Sequence, residues 1–422
     1  MINLEQKLKK LYNNCIETQN YQIERYRELT EKFIKEFSSS TSYEYFSSPG
    51  RTELGGNHTD HNGGKVIAAS INLDTIACAS LQENVVEIFS IGFDEKISLS
   101  LDELQPNEKE KETSTALVRG IAAGFVKNGF KIGGFKAVIS GEVKVGSGLS
   151  SSASFEVLIA SIFNHFYNDN LVSPVDLALI GQFAENEFFG KPCGLMDQIA
   201  CACGSVVAID FKEHDKPKIE QIDFDLEQYN YKLLVVDTGG NHQNLTADYA
   251  SIPEEMKLIA NYFGKKLCSE VDSEDLNKAL PDLYQKYSHR AILRALHFSQ
   301  ENIRVDEQKT ALTNKNLPEF MRLVNQSGNS SFKYLQNIYS PQEITNQPIS
   351  LALAITENFI NQKNEGACRI HGGGFAGTIQ VFLKKDFIDE YRKIIESVFG
   401  VGSITILNFR KFGVTPLSHI SF

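Results

Sequence analysis

SPGRTELGGNHTDHNGG, residues Ser48–Gly64, is the stretch from which the fold is read. It packs five glycines, two histidines, an Asp and an Arg into seventeen residues. Polarity and glycine content of this kind predict a loop or turn outside the core, with a backbone that passes close to something. Arg51, His58 and Asp60 are suited to gripping a polyhydroxylated or anionic ligand. His58 and Asp60 stand two apart, so they share a face wherever the chain is extended. Taken alone, the composition fits a surface loop rich in turn formers equally well.

The surrounding chain has 422 residues and 42% apolar content, enough for two domains or one large α/β unit. A net charge of −11 argues against nucleic acid as a partner, since phosphate backbones need basic patches. The seven cysteines are scattered, and Cys201 and Cys203 are too close for a usual metal pair, which predicts reduced thiols. MINLEQKLKKLYNN lacks the apolar region of a signal peptide, and no apolar run approaches the roughly 18 residues of a membrane span. The expectation is a soluble, cytoplasmic protein, monomer or weak homodimer, with neither nucleic acid nor membrane as partner.

Helical spacing marks residues 1–37, with Tyr43–Ser47 a short strand leading into the opening stretch. Lys65–Ser80 and Val85–Leu101 read as sheet, Ser114–Asn128 as helix and Phe135–Ser140 as strand. Gly141–Ser154, GEVKVGSGLSSSAS, then runs from a strand through glycines into a helix over Phe155–Phe166. A helix start of this kind presents free N–H groups and a dipole that favours anions. It is no Walker A loop, because no Gly-Lys-Ser/Thr follows. Three serines in a first helical turn are poor helix formers and suit a phosphate or a metal, although an ordinary Ser-capped start has the same look. Ser173 and Pro174 open a helix that closes at Gly190. Asp197 stands within Leu195-Met196-Asp197-Gln198-Ile199, where an acid is either a paired structural charge or one tuned for function. The shift at Lys212–Gln221 marks a domain boundary. Beyond it, Tyr231–Asp237, Cys368–Ile370, Thr378–Leu383 and Ser403–Leu407 read as strands, and Ile252–Phe263, Leu283–Glu301, Leu317–Gln326, Ile349–Asn361 and Asp386–Val398 as helices. His371–Gly377, HGGGFAG, is a further glycine-rich turn. The irregular alternation favours α+β over a doubly wound fold.

Four motifs in order, SPGR…GNHTDHNGG, GSGLSSSAS, CGLMDQ and GGGFAG, resemble those of the GHMP small-molecule kinases and, within them, the galactokinase family. The resemblance runs from about Tyr43 to the C-terminus. It implies an N-terminal helical extension (1–24), a ribosomal-protein-S5-like N-terminal domain (25–215) and a GHMP C-terminal domain (216–422), with the active site between them. The implied reaction is ATP-dependent phosphorylation of the anomeric C1 hydroxyl of galactose, assisted by Mg²⁺. By match, Asp197 takes the hydroxyl proton and Arg51 holds Asp197 and stabilises the transferring phosphoryl. Asn57, His58, Asp60, Gly194 and Tyr249 fall on sugar-binding positions. Gly146, Ser147, Gly148, Leu149, Ser150, Ser151 and Ser152 wrap the ATP phosphates, with Gly372, Gly373 and Gly374 completing the site. Ser152 and Glu185 are the implied Mg²⁺ ligands.

The first motif departs from the family pattern. Asn57 replaces a Glu expected at the sugar's C6 hydroxyl, His61 a Tyr, Glu53 an Asn and Gly55 an Ile; Lys144, His371 and Ile252 also differ. A neutral amide at 57 removes a charge that would repel a C6 carboxylate, so galacturonate or another C6-altered sugar is an alternative substrate. A catalytically silent sugar and ATP sensor is the alternative of another class, against which the complete Gly148–Ser154 loop speaks.

Overall fold

A computed structural model describes residues 2–12, 16–37, 42–93, 95–143, 148–213, 216–239, 245–375 and 377–420. Its strands are β1 (Glu44–Gly55), β2 (Lys65–Leu81), β3 (Val85–Ser90), β4 (Lys96–Ser100), β5 (Phe135–Gly141), β6 (Val206–Asp210), β7 (Lys218–Ile222), β8 (Tyr231–Asp237), β9 (Ala367–Ile370), β10 (Thr378–Lys384), β11 (Ile404–Leu407) and β12 (Thr415–Pro416). β1 corrects the loop expectation for the first half of the opening stretch: it is strand to Gly55 and buried from Phe46 onward. Most of its polar side chains are tolerated there because they find distant partners, the buried Ser48 hydroxyl having none among the described residues. Ser47 meets Arg410, Arg51 meets Asp197, Thr52 meets His371 and Glu53 meets Arg369. The turn expected of the stretch is confined to its second half, where Asp60–Asn62 forms a single helical turn.

The first sheet runs β12-β1-β2-β5-β3-β4, with β6 on β2 and β7 on β6. β2 is long enough to serve two neighbours, β6 along residues 65–69 and β5 along residues 75–81. Its alternation serves two faces. Ala77 and Ala79 point into a core with Phe125, Ile159 and Phe163. Ile76 and Cys78 point into another with Leu8, Tyr26, Leu29 and Phe33. The first face is covered by α3 (Ser114–Lys127), α4 (Ser151–Tyr167) and α5 (Pro174–Ala184), and the second by α1 (Ile2–Tyr12) and α2 (Ile16–Glu36). α6 (Met196–Cys203) packs against α4, α5, β1 and β2. α2 crosses the expected limit at residue 24, and β7 carries the first sheet past the expected boundary at 215.

The second sheet, β11-β8-β10-β9, is antiparallel throughout. Around it lie α7 (Thr246–Tyr262), α8 (Ser273–Lys286), α9 (His289–Thr313), α10 (Leu317–Ser330), α11 (Pro348–Lys363) and α12 (Ile388–Phe399). The single helix expected over Leu283–Glu301 is two. The chain breaks at Tyr287–Ser288, and the Ser288 hydroxyl accepts the Ala291 N–H at 3.3 Å as the cap of α9. One apolar cluster joins the halves, with Leu54, Ile67 and Ile71 from the first sheet meeting Leu233, Val235, Phe382 and Leu407 from the second. Among the described residues, no helix is long and apolar enough to cross a membrane.

Candidate active site

Arg51 leaves β1 toward the N-terminus of α6. Its Nε and Nη2 donate to Asp197 Oδ1 and Oδ2 at 2.7 and 2.8 Å, a two-pronged pair. Nη1 donates to the Gly148 carbonyl at 2.5 Å, and the Arg51 N–H to the Leu149 carbonyl at 3.1 Å. One arginine therefore links the acid to the loop that enters α4. Gly50 makes this approach possible, since a Cβ there would lie 2.8 Å from the Leu149 oxygen. Ser150, in the left-handed region at φ 62°, turns its hydroxyl onto Asp197 Oδ2. A non-glycine there costs on the order of 1 kcal/mol or more, a strain characteristic of functional turns. Burial pushes the Asp197 carboxyl up, but Arg51, Ser150 and Lys191 overcome it and hold it below its ordinary value. The side chain keeps 32% of its surface exposed, so the carboxylate is ionised, oriented and reachable.

A second acidic group lies beside it. The Ser152 hydroxyl is 3.4 Å from Glu185 Oε1, and Lys191 Nζ lies 3.4 Å from the same oxygen. Glu185 opens a wide helical turn (Glu185–Phe189) that interrupts the regular bonding after α5. A hydroxyl and a carboxylate that converge at a helix N-terminus are hard oxygen donors suited to Mg²⁺. Behind them, Gln198 Nε2 donates at 3.0 Å to both Glu185 Oε2 and Glu156 Oε2. Glu156 is fully buried and its Oε1 has no partner among the described residues. Burial, then the charge of Glu185, pushes its carboxyl well up. Sequence reasoning passed over Glu156 and Gln198. An acid amid Phe155, Val157, Leu158 and Ile159 carries the same signal that singled out Asp197.

Gly146 and Ser147 lie outside the described residues. Leu149 buries its side chain in the joining core and leaves only backbone for a ligand. Ser154 is turned inward, donating to the Ser48 carbonyl at 2.8 Å. The carbonyls of Gly372, Gly373 and Gly374 accept from Asn57 Nδ2, His58 Nε2 and the Tyr249 hydroxyl, each at 2.8 Å. That turn therefore grips three positions expected at the sugar, and its neighbour His371 is what meets the phosphate loop. A Cβ on Gly148 would lie 3.2 Å from His371 Nδ1. His371 bonds Thr52 and Thr378 at 3.0 Å, and burial, then the charge of Arg51, lowers it to about 3.

Asn57 is fully buried. Its Oδ1 accepts from Ser331 and Asn337 at 3.1 and 2.9 Å, and its Nδ2 also reaches Glu53 Oε1 at 3.3 Å. The structure thus places its amide among protein partners. The carboxylate absent at 57 stands one hydrogen bond away on Glu53, paired with Arg369. Burial lowers His58 to about 4, so it is neutral and its Nε2 carries the proton given to Gly373. Asp60 and Gly194 are brought together so tightly that a Cβ on Gly194 would meet Asp60 Oδ2 at 2.0 Å. That contact sets Asp60 beside Gly194, which stands three residues before Asp197 along the chain.

The profile described as "GHMP kinases N terminal domain" matches residues 116–205, and the "Galactokinase galactose-binding signature" matches residues 31–81. A galactokinase of Clostridium tetani is 30% identical over 378 residues, covering 88% of this chain and 92% of its own. One from Pyrococcus furiosus is 36% identical over 266 residues, covering 63% of this chain and 70% of its own. The solved structure of Lactococcus lactis galactokinase complexed with galactose superposes with a TM-score of 0.78 at 25% identity, covering 92% of this chain and 99% of that one. A mevalonate kinase at TM-score 0.61 and 17% identity shares the fold. With two domain signatures in place and identity sustained over nearly the whole length of its relatives, the chain belongs to the galactokinase family of GHMP kinases.

Proposed function

We infer that this protein is a sugar kinase that transfers the γ-phosphoryl group of ATP to the C1 hydroxyl of galactose, giving galactose 1-phosphate and ADP. The Arg51–Asp197 pair, set against the Gly148–Ser152 loop, carries this reading. The C1 oxygen attacks the γ-phosphorus, the bond to the β–γ bridging oxygen breaks, ADP leaves and the hydroxyl proton passes to an Asp197 oxygen. Asp197 is ionised and part exposed, so it can accept that proton as the new P–O bond forms. Arg51 keeps the carboxylate in place and sets positive charge beside the transferring group. The first turn of α4 offers the N–H groups of Ser151 and Ser152 to phosphate oxygens.

Ser152 and Glu185 would hold Mg²⁺, which when bound neutralises phosphate charge and so favours departure of ADP. Asp60 and the Gly194 backbone are the proposed sugar contacts, with His58 and Tyr249 supporting them from the 372–374 turn. The buried setting of Asn57, with Glu53 beside it, removes the sequence argument for galacturonate.

ADP release measured with galactose, galacturonate, N-acetylgalactosamine and arabinose tests the assignment. Galactose is expected to be turned over fastest. Preference for galacturonate would overturn the sugar assignment, and binding of ATP and galactose without ADP release would overturn the catalytic one.

A further inference from the structure

We propose that the N-terminal helices brace the strand that enters the phosphate loop, and that Arg25 on α2 is a positioning residue for the nucleotide. The proposal rests on the kinase reading above. β5 ends at Gly141, and the next residue, Glu142, is fixed twice. Its N–H donates to the Asp74 carbonyl at 2.9 Å. Its carboxylate meets Arg25 Nη1 at 2.6 Å and Gln22 Nε2 at 3.4 Å, and takes a bond from Tyr21. Arg25 Nη1 also reaches Asp74 Oδ1 at 2.9 Å. The other Asp74 oxygen accepts from Tyr12 on α1, from Ser47 on β1 and from Arg410 Nη1, the last at 2.9 Å. Two carboxylates and two guanidiniums thus balance here, and the most open of the four, Glu142, is 17% exposed.

This cluster sits behind the loop. Asp74 pairs with Pro49 across β1 and β2, two residues before Arg51. Val143, directly after Glu142, is buried and would lie 3.0 Å from a Cβ on Gly50. Downstream, Arg51 holds the carbonyls of Gly148 and Leu149. Arg25 therefore fastens the backbone at Glu142, and Arg51 fastens it again at Gly148 and Leu149, which lead into α4. Nucleotide binding depends on where those backbone groups sit, and a displacement of about 1 Å in a positioning element is enough to be felt.

The test is Glu142→Gln, which removes the charge from its side-chain tie to Arg25 while its N–H still holds the Asp74 carbonyl and Asp74 still pairs with Arg25, so the fold is kept. ATP affinity is read by calorimetry on the full-length protein without sugar, beside steady-state KM values for MgATP and galactose and a melting curve. The expected result is a rise in the ATP Kd and MgATP KM on the order of fivefold, with the galactose KM within about twofold and the melting temperature nearly unchanged. Arg25→Met should raise the ATP Kd at least as much. An unchanged ATP Kd in the folded Glu142→Gln protein, or equal weakening of both substrates, would overturn the proposal. Because ATP binding is measured without sugar, a wild-type protein that failed to phosphorylate galactose would leave this outcome readable on its own.

Discussion

Asp197 and Asp74 are built from the same parts and put to opposite ends. Each is an aspartate that burial pushes up and arginine pulls below its ordinary value, with a serine hydroxyl on one oxygen. Asp74 is sealed at 0% exposure and takes Arg25, Arg410, Ser47 and Tyr12 together. Asp197 takes one arginine and one serine and keeps a third of its surface open. A lowered pKa is thus no mark of a reactive acid. What separates the two is whether lone pairs remain within reach of an incoming hydroxyl.

The largest expected effect tests the sealed member. Asp74→Asn leaves two guanidiniums short of a buried carboxylate and should cost about 3–5 kcal/mol of stability by denaturant titration. A loss below about 1 kcal/mol would mean the cluster is wet and the contrast false. Asp197→Asn should do the reverse. Turnover is expected to fall 100-fold or more, about 2.7 kcal/mol in barrier, while ATP and galactose Kd values and the melting temperature stay near wild type. Activity retained near the wild-type level would remove Asp197 from its role.

Acid should strike neither aspartate first. His371 is lowered to about 3, so the unfolded chain binds the extra proton below its ordinary value of about 6.5. Its contribution is complete above that value and is lost as the pH falls, by about 2 kcal/mol between pH 6.5 and 5. His371→Asn should flatten the fall in melting temperature across that window. An equally steep fall in the variant would place the sensitivity elsewhere. The smallest effect is expected at Glu156, whose carboxyl burial, then the charge of Glu185, pushes well up. Glu156→Gln should match wild-type stability to within about 1 kcal/mol near pH 4.5 and become relatively more stable as the pH rises from there, because the unfolded Glu156 gains from ionising before the folded one does. Destabilisation that grows with pH would mean Glu156 is charged in the folded protein.

Most helices and strands were legible because their apolar spacing is local. The glycine-rich turns and Asp197 were legible for the complementary reason, that polar or flexible residues stand where a plain core has no use for them. β1 was not legible past Ser47. Arg51, Thr52 and Glu53 read as loop by local propensity, and they become a buried strand through partners as distant as Asp197, Arg369 and His371. Asn57 misled for the same reason: its neighbours Ser331 and Asn337 come from the far half of the chain. The α8–α9 break was readable in the cap residue Ser288, where helical periodicity on both sides hid it.

β12 returns to pair Thr415 and Pro416 with Ser47 and Phe46, and Arg410 closes on Asp74. During synthesis, then, the strand that carries Arg51 emerges hundreds of residues before the segment that completes its edge and neutralises the acid behind it. Until residues 410–416 leave the ribosome, Asp74 lacks one of its two arginines and β1 keeps an unpaired edge. The order of translation thus leaves residues 410–416 to complete the sheet that carries Arg51.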